Sequence, residues 1–319
     1  MRAIVFSEVN KPLEVNEISK PVPVGDEVLV NIKAAAMNHR DVWITQGMYP
    51  GLNPGTILGS CGAGIFGDKE VIINPNVNWG DNPNYPDHSK YTILGMPKNG
   101  TFCDWMAVHP DRLGDKPTHL SMEEAAALPL GGLTAYRALF TKGRLTANDT
   151  VLISGIGGGV ALQAFQFAVA IGAKVFVTSG SDEKIQRAIT LGAAGGANYK
   201  TEKWYKSFIA EHGMVDLIID SAGGEGYNDL LRVCNPGARI VNYGGTRGNC
   251  IINPQLLFWR ELEIYGSTMG NDQEFQDMVE LVEKHKITPV VDTVFKMADC
   301  NEAFARMQEG KQFGKIVLK

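Results

Sequence analysis

Apolar positions fall into two different patterns along the chain. Up to about residue 115 they form short runs separated by Gly, Pro and Asn, among them R-A-I-V-F, L-E-V-N-E-I and E-V-L-V-N-I-K-A-A-A. Runs of this kind, bounded by turn residues, are typical of β-strands. The first part of the chain is therefore predicted to be mostly β.

From Asp149 onward, strand-like and helix-like runs alternate, and the strands T-V-L-I-S, K-V-F-V-T-S and V-D-L-I-I-D-S are almost continuously apolar. Continuous apolar strands between helices indicate a parallel sheet that is covered on both faces. Ahead of them, Ser121 and Glu124 form a capping box for an Ala-rich helix that Pro129 should end or kink. Residues 121–255 are predicted to form this doubly wound domain.

The C-terminal tail shows two amphipathic helical patterns, around 275–285 and 301–308, and a last strand, K-I-V-L-K. We expect this strand to pack back on the first domain. The predicted division is therefore residues 1–120 with 256–319 in one domain and residues 121–255 in the other.

Composition narrows the function classes. The chain has 319 residues, 44% of them apolar, and a formal net charge of −5, so no basic stripe points to nucleic acid. No apolar run reaches the roughly 18 residues of a membrane span, and the N-terminal residues become polar too early for a secretory signal. The five cysteines contain no C-x-x-C pair, which argues against a disulfide framework and fits a reducing cytoplasm.

A glycine-rich turn, S-G-I-G-G-G-V-A-L at 154–162, joins the first strand and helix of the doubly wound domain. Such a turn lets the backbone approach a pyrophosphate at the positive end of the helix. Glycines also serve tight turns for packing alone, but this position in the first βαβ unit favours dinucleotide binding. The residues predicted to line the pyrophosphate are Gly155, Gly157, Gly158, Gly159 and Val160.

The end of the second strand indicates which cofactor is bound. An Asp or Glu at this point would hold free ribose hydroxyls, but the chain has Ser179, followed by Ser181 and Lys184. Hydroxyls and an ammonium group would bind a 2′-phosphate, which a carboxylate would repel. The sequence therefore predicts NADPH; the alternative is that Ser181 only caps the next helix and Lys184 is a solvated surface charge.

Several segments together resemble the medium-chain dehydrogenase/reductase superfamily, on its zinc-free, quinone oxidoreductase-like and zinc-type alcohol dehydrogenase-like side. The resemblance covers essentially the whole chain. Besides the glycine turn, the matching segments are A-A-M-N-H-R-D at 35–41, Q-G-M-Y-P at 46–50, L-G-S-C-G-A-G at 58–64, E-A-A-A-L-P-L-G-G-L-T-A-Y at 124–136, D-S-A-G-G at 220–224, N-Y-G-G-T at 242–246 and F-G-K-I-V at 313–317.

The resemblance implies an α/β fold with a GroES-like β-rich catalytic domain and a Rossmann doubly wound cofactor domain, with substrate and nicotinamide meeting in a cleft. It also implies a homodimer formed through the segment at 256–268, although the apolar residues there may equally belong to the core. Beyond the glycine turn, Ser179, Ser181 and Lys184, the implied cofactor contacts are Thr134, Tyr199, Ser221, Tyr243, Gly244, Gly245, Thr246, Phe313, Gly314 and Lys315.

The same resemblance indicates that a catalytic metal is missing. Where zinc-containing relatives have a Cys and a His-Glu pair, this chain has Asn38 and the pair Ser60 and Cys61, and the later ligand position, near Leu130, is apolar. Catalytic zinc needs three protein ligands drawn from thiolate, imidazole and carboxylate. An improvised set of His39, Asp41, Cys61 and His88 matches no known spacing, so no metal is predicted.

Without a Lewis acid, alcohol oxidation becomes difficult, whereas hydride transfer from NADPH to a quinone or an α,β-unsaturated carbonyl needs only a nearby proton or hydrogen-bond donor. Tyr49 is the candidate donor, with the alternative that it is only packed in its loop, and Asn38 would orient substrate or nicotinamide ribose. The other functions left open are a zinc-dependent alcohol dehydrogenase and a non-catalytic NADPH-binding protein.

Overall fold

The computed structural model describes residues 1–319. It contains a β-rich region and a region in which strands and helices alternate. Its strands are β1 (Arg2–Ile4), β2 (Val15–Glu17), β3 (Val28–Ala36), β4 (Cys61–Phe66), β5 (Lys69–Ile73), β6 (Asn76–Val77), β7 (Thr92–Leu94), β8 (Pro97–Lys98), β9 (Trp105–Val108), β10 (Leu113–Asp115), β11 (Thr150–Ile153), β12 (Lys174–Ser179), β13 (Gly195–Asn198), β14 (Val215–Asp220), β15 (Cys234–Asn242), β16 (Glu263–Gly266), β17 (Val291–Phe295) and β18 (Lys315–Leu318).

The α-helices are α1 (His39–Thr45), α2 (Met122–Ala127), α3 (Pro129–Tyr136), α4 (Gly159–Ala170), α5 (Asp182–Thr190), α6 (Trp204–His212), α7 (Tyr227–Arg232), α8 (Pro254–Trp259), α9 (Asp272–His285) and α10 (Cys300–Gln308). A π-helical turn, Arg137–Lys142, follows α3, and short 3-10 helices lie at Pro110–Arg112 and Met297–Asp299. None of the helices combines the length and apolar character needed to cross a bilayer.

The chain divides into two compact units, Met1–Leu133 with Gly270–Lys319 and Thr134–Met269. Both boundaries fall later than the sequence predicted. At the first, α2 packs on β3, β4 and β18 and so stays with the first unit. At the second, β16 pairs with β15 and so extends the sheet of the second unit.

The first unit is built on a sheet with the strand order β10-β5-β4-β3-β18-β17, in which β9 also pairs with β3. Strand β18 lies antiparallel to β3, with Val317 opposite Ala36, as expected for the last strand. This pairing brings the C-terminal residues next to the segment that follows β3. The capping box of Ser121 and Glu124 is present, and α2 gives way to α3 at Pro129, so both helix predictions are confirmed.

The second unit is a six-stranded parallel sheet with the order β13-β12-β11-β14-β15-β16. Its first strand, β11, lies in the middle, and the chain winds outward in both directions through connecting helices. This is the doubly wound order that places a ligand crevice at the carboxyl ends of the central strands. The predicted fold class is confirmed, because a β-rich unit and a Rossmann unit are both present.

Candidate active site

The glycine turn at the carboxyl end of β11 has the backbone conformation that a pyrophosphate site needs. Gly155 and Gly157 have φ angles of 66° and 121°, a region that side chains with a Cβ rarely adopt. Gly158 is the N-cap of α4, and no side chain makes a capping hydrogen bond there. The first N–H groups of the helix are therefore available to an anion.

Asp220, at the end of β14, organises the neighbouring loops. Its carboxylate accepts hydrogen bonds from the Ser154 hydroxyl, from the N–H groups of Ala222 and Gly223, and from Asn242 Nδ2 at 3.0 Å. These bonds join the carboxyl ends of β11, β14 and β15, where a cavity of about 700 Å³ opens. Its lining includes Gly155, Thr178, Tyr199, Ser221, Thr246 and Arg247.

The residues that follow β12 cap the next helix and also reach the glycine turn. The Ser179 hydroxyl accepts a hydrogen bond from the N–H of Ser181, and the Ser181 hydroxyl caps α5 at the N–H of Lys184. Ser181 therefore has the capping role that the sequence left open. Lys184 reaches the glycine turn, since a Cβ added to Gly157 would lie 3.3 Å from its Nζ. Its ammonium is thus placed beside the predicted pyrophosphate site.

Two basic residues that sequence reasoning missed lie close to Tyr199. The Arg247 guanidinium lies 5.3 Å from the centroid of the Tyr199 ring. A Cβ added to Gly180 would lie 2.8 Å from both Tyr199 Oη and Lys200 Cε, so both side chains reach the turn after Ser179. Lys200 directly follows the predicted contact Tyr199, and Arg247 directly follows the matching segment N-Y-G-G-T, so each lies one residue beyond a position that the sequence analysis named.

The remaining predicted cofactor residues of this unit lie in two places. The loop after β15 contains Tyr243, Gly244, Gly245 and Thr246, and Thr246 N donates to Ser221 O at 3.2 Å. This loop therefore lies against the segment that follows β14. Thr134 is buried in α3, with its hydroxyl 3.8 Å from Met269 Sδ.

The first unit contains a buried polar cluster around Asn38, the N-cap of α1. Lys315 Nζ donates to Asn38 Oδ1 at 2.6 Å and to Met37 O at 2.5 Å, and it is only 4% exposed. Asn38 Nδ2 donates to Cys61 Sγ at 3.2 Å. The Asp41 carboxylate accepts from the Asn38 N–H at 2.8 Å. A lysine from the C-terminal strand therefore meets the residues that follow β3.

Burial acts on both ionisable groups of this cluster. It raises the pKa of Asp41, although the nearby charges of Arg40 and Lys315 and the Asn38 N–H act in the opposite direction. It lowers the pKa of Lys315, against the effect of Cys61 and Asp41. Burial thus opposes the charged form of each group, while Asp41 and Lys315 each favour the charge of the other.

Arg40 forms a second buried contact set directly under the candidate proton donor. Its guanidinium donates to the Ser60 hydroxyl, to Leu94 O at 2.7 Å and to Met96 O at 3.2 Å. Its Cζ lies 4.6 Å from the centroid of the half-buried Tyr49 ring. The cation–π contact holds the ring of Tyr49 over a fixed charge.

Phe313 and Gly314, predicted from resemblance to contact the cofactor, lie in the first unit with Lys315. Phe313 is 1% exposed, and its N–H donates to Asp292 Oδ1 at 2.9 Å. Gly314 has a φ of 122°, and a Cβ there would lie 2.4 Å from Val290 O. A residue with a Cβ at position 314 would therefore collide with the backbone of Val290.

The residues at the former ligand positions do not fit a catalytic zinc ion. Asn38 Oδ1 is bonded to the Lys315 ammonium, the Ser60 hydroxyl accepts from the Arg40 guanidinium, and Leu130 has no donor atom in its side chain. Two cations thus approach the positions from which zinc ligands would extend. No group of three or more His, Cys, Asp or Glu side chains anywhere in the chain is placed to hold a metal ion.

A family model and two related proteins all identify this chain with the same group of dehydrogenases. Residues 159–284 match the family model described as zinc-binding dehydrogenase. A zinc-type alcohol dehydrogenase-like protein, YogA, of Leptosphaeria maculans is 37% identical over 98% of this chain and 96% of its own length. A zinc-type alcohol dehydrogenase-like protein of Schizosaccharomyces pombe is 33% identical over 100% of this chain and 99% of its own length.

A solved structure of an NAD-dependent alcohol dehydrogenase is similar over 100% of this chain and 99% of its own, with 33% identity and a TM-score of 0.93. Sequence and fold therefore agree over the full length of the chain. The chain belongs to the medium-chain dehydrogenase/reductase superfamily, with the zinc-type alcohol dehydrogenase-like proteins, and is an oxidoreductase with a nicotinamide-binding Rossmann unit.

Proposed function

We propose that the protein is an NADPH-dependent, metal-independent reductase of quinones, enones or other α,β-unsaturated carbonyl compounds. The observation that carries this proposal is the bonding at the former ligand positions. The Asn38 amide is bonded to a buried ammonium and the Ser60 hydroxyl to a buried guanidinium, so neither oxygen is presented to a divalent ion. Acceptors that are already electrophilic are the ones that need no Lewis acid.

The choice of NADPH over NADH is supported by the charges near the end of β12. Ser179 stands where a ribose-binding carboxylate would be expected. The side chains of Tyr199, Lys200 and Arg247 lie around the turn that follows it. Hydroxyl, ammonium and guanidinium groups are the usual partners of a phosphate monoester. We therefore assign Ser179, Tyr199, Lys200 and Arg247 to the 2′-phosphate, and Lys184 with the glycine turn to the pyrophosphate.

The glycine turn and the loop after β15 would hold NADPH, whose nicotinamide would supply a hydride to the β-carbon of the acceptor. The electron pair of the carbon–carbon double bond moves toward the carbonyl, so negative charge grows on its oxygen. The Asn38 amide donates a hydrogen bond to that oxygen, and the Tyr49 hydroxyl donates the proton that the α-carbon finally receives. Solvent then returns a proton to Tyr49.

The decisive experiment compares two reactions of the purified protein in buffer containing a chelator. Loss of reduced-nicotinamide absorbance with NADPH and a quinone or enone panel is expected, with little turnover of primary and secondary alcohols with NAD⁺ or NADP⁺. The relatives named alcohol dehydrogenases make alcohol oxidation the second candidate. Alcohol oxidation that is lost with the chelator and restored by zinc would refute the reductase assignment.

We also propose that the chain forms a homodimer in a reducing compartment such as the cytoplasm. Strand β16 is the last strand of its sheet and pairs only with β15, so its outer edge offers unpaired backbone groups. Nearby, Phe258 and Trp259 are 64% and 83% exposed. All five cysteines are free thiols, which supports the reducing compartment.

A further inference from the structure

The orientation of the Asn38 side-chain amide is fixed by Lys315. Oxygen and nitrogen of an asparagine amide have similar shapes, so the orientation must follow from hydrogen-bond partners. A lysine ammonium has three donors and no acceptor, so the atom 2.6 Å from Lys315 Nζ has to be the oxygen. The nitrogen of the amide therefore points away from Lys315.

Cys61 supports the same orientation from the other side. Its sulfur accepts the N–H of Leu130 at 3.2 Å and lies 3.2 Å from Asn38 Nδ2. An amide nitrogen carries two hydrogens, and Cys61 takes one of them. The second hydrogen of Nδ2 is left to be donated to a ligand, while the amide oxygen is turned inward.

Burying the Lys315 ammonium costs free energy, so a compensating role for this side chain is expected. Its ammonium makes hydrogen bonds only to neutral oxygens, Met37 O and Asn38 Oδ1, in a region where burial disfavours its charge. An apolar residue of similar length would close the same space at lower cost, as found for other buried charges. Packing alone therefore does not account for a lysine at this position.

We propose that Lys315 is a positioning residue that holds the Asn38 amide with its N–H group toward the acceptor, so that the site selects substrates activated by a hydrogen-bond-accepting oxygen. The inference rests on the proposed reductase function. It assigns Lys315 to the first unit's acceptor site instead of to the cofactor contacts implied by resemblance. It also predicts that alkenes whose activating group has no oxygen atom, such as unsaturated nitriles, are poor substrates.

The test is a double-mutant cycle between Lys315→Met and Asn38→Ala. With an enone and NADPH, Lys315→Met is expected to lower kcat about tenfold with a smaller change in KM, because a misoriented amide loses a transition-state hydrogen bond. In the Asn38→Ala background the same change is expected to have less than about a twofold effect. Additive effects, or an unchanged kcat in Lys315→Met, would overturn the inference.

Two further variants separate positioning from folding. Lys315→Gln can still donate to Asn38 and is expected to keep more of the original rate than Lys315→Met. If Lys315→Met is too unstable to assay, Lys315→Gln is compared directly with the unmodified protein. The control is Lys116→Met, since Lys116 is another buried lysine of this unit, with its Nζ bonded to backbone oxygens of Pro117 and Leu120 and 3.2 Å from the Glu70 carboxylate. It is expected to lower stability and leave kcat unchanged; an equal loss of kcat in this control would contradict a positioning role.

A readout without turnover separates this inference from the proposed function. The side-chain amide of Asn38, labelled with ¹⁵N and identified by its loss in Asn38→Ala, is expected to show slowly exchanging protons in the unmodified protein. In Lys315→Met its shifts should change and its exchange should accelerate. If the protein reduces no activated alkene but this change is seen, the reductase assignment fails and the orientation by Lys315 stands; an unaltered resonance refutes the orientation itself.

Discussion

At the residue scale, two cations lie beside residues that the sequence predicts to be functional. Arg247 lies 5.3 Å from the Tyr199 ring, and Lys315 lies 2.6 Å from the Asn38 amide oxygen. Exchanging either one for a neutral side chain would remove a charge to which the proposed function assigns a role. Single substitutions are therefore informative at these positions.

Arg247→Ala is expected to weaken NADPH binding about tenfold or more and to leave NADH binding nearly unchanged, because a charge-assisted hydrogen bond to the 2′-phosphate is lost. Fluorescence titration with each cofactor measures both constants. The matched control is Arg232→Ala, since Arg232 lies 5.1 Å from the Tyr205 ring in a comparable contact. Equal loss for NADPH and NADH would contradict the phosphate assignment.

Tyr49→Phe is expected to lower kcat for enone reduction by about a hundredfold, within the usual contribution of a positioned proton donor. NADPH affinity should not change, since the phenol acts on the acceptor. Steady-state kinetics in chelator-containing buffer provide the measurement, with Tyr85→Phe as the control because Tyr85 is 59% exposed in the same unit. A full rate in Tyr49→Phe would leave Tyr49 with only its packing role over Arg40.

At the element scale, one ion pair fixes the start of α9. The Asp272 carboxylate accepts from Arg112 Nη1 and Nη2 at 2.7 and 2.5 Å and from the side-chain amides of Asn74 and Asn76. Burial alone would raise the pKa of Asp272, but these hydrogen bonds and the Arg112 charge lower it overall. The helix therefore begins at Asp272, three residues before its predicted start at 275, because polar bonding and the Asn271 cap extend it beyond the apolar pattern.

The lowered pKa of Asp272 gives a pH-dependent prediction. The group stabilises the fold fully above its unfolded pKa of about 3.9, and this stabilisation is lost as the pH falls through the lower folded value. Because the Asp272 side chain is 50% exposed and partly screened by solvent, Asp272→Asn should cost about 1 kcal/mol at neutral pH and progressively less below about pH 4. Urea unfolding at several pH values measures it.

The control for this pH series is Asp104→Asn, which removes an ion pair with Arg2, whose side chain is 52% exposed, whereas that of Arg112 is 9% exposed. Surface pairs contribute less than about 1 kcal/mol, so this variant should show a smaller loss at neutral pH. A pH-independent loss in Asp272→Asn would mean that the neutral hydrogen bonds, and not the carboxylate charge, hold α9 in place.

At the scale of the whole molecule, the proposed homodimer can be tested by measuring the mass in solution. Light scattering is expected to give a mass twice the 34.7 kDa of the chain. Trp259→Glu places a charge on the exposed apolar surface beside β16 and should shift the equilibrium toward monomer. Val22→Glu is the control, since Val22 is 81% exposed in the first unit. A monomer in the unmodified protein, or dissociation in both variants, would exclude the proposed interface.

What could be predicted from the sequence depended on local signals. The apolar strands, the capping box at Ser121 and Glu124, and the break at Pro129 follow from spacing and backbone chemistry, and the structure has all of them. The predicted domain boundaries differ from those of the structure. A helix such as α2 belongs to the unit whose sheet it packs on, and this packing cannot be inferred from its position in the sequence.

The sequence by itself determined the order of strands and helices, the glycine turn and the absence of ligand side chains at the former metal positions, since each of these is a property of neighbouring residues. Only the tertiary structure decided what surrounds Asn38. Lys315 lies 277 positions away along the chain, and a lysine in sequence normally indicates a solvated surface. The pairing of β18 with β3 brings the two together, because strand pairing depends on contacts between distant segments that no local pattern specifies.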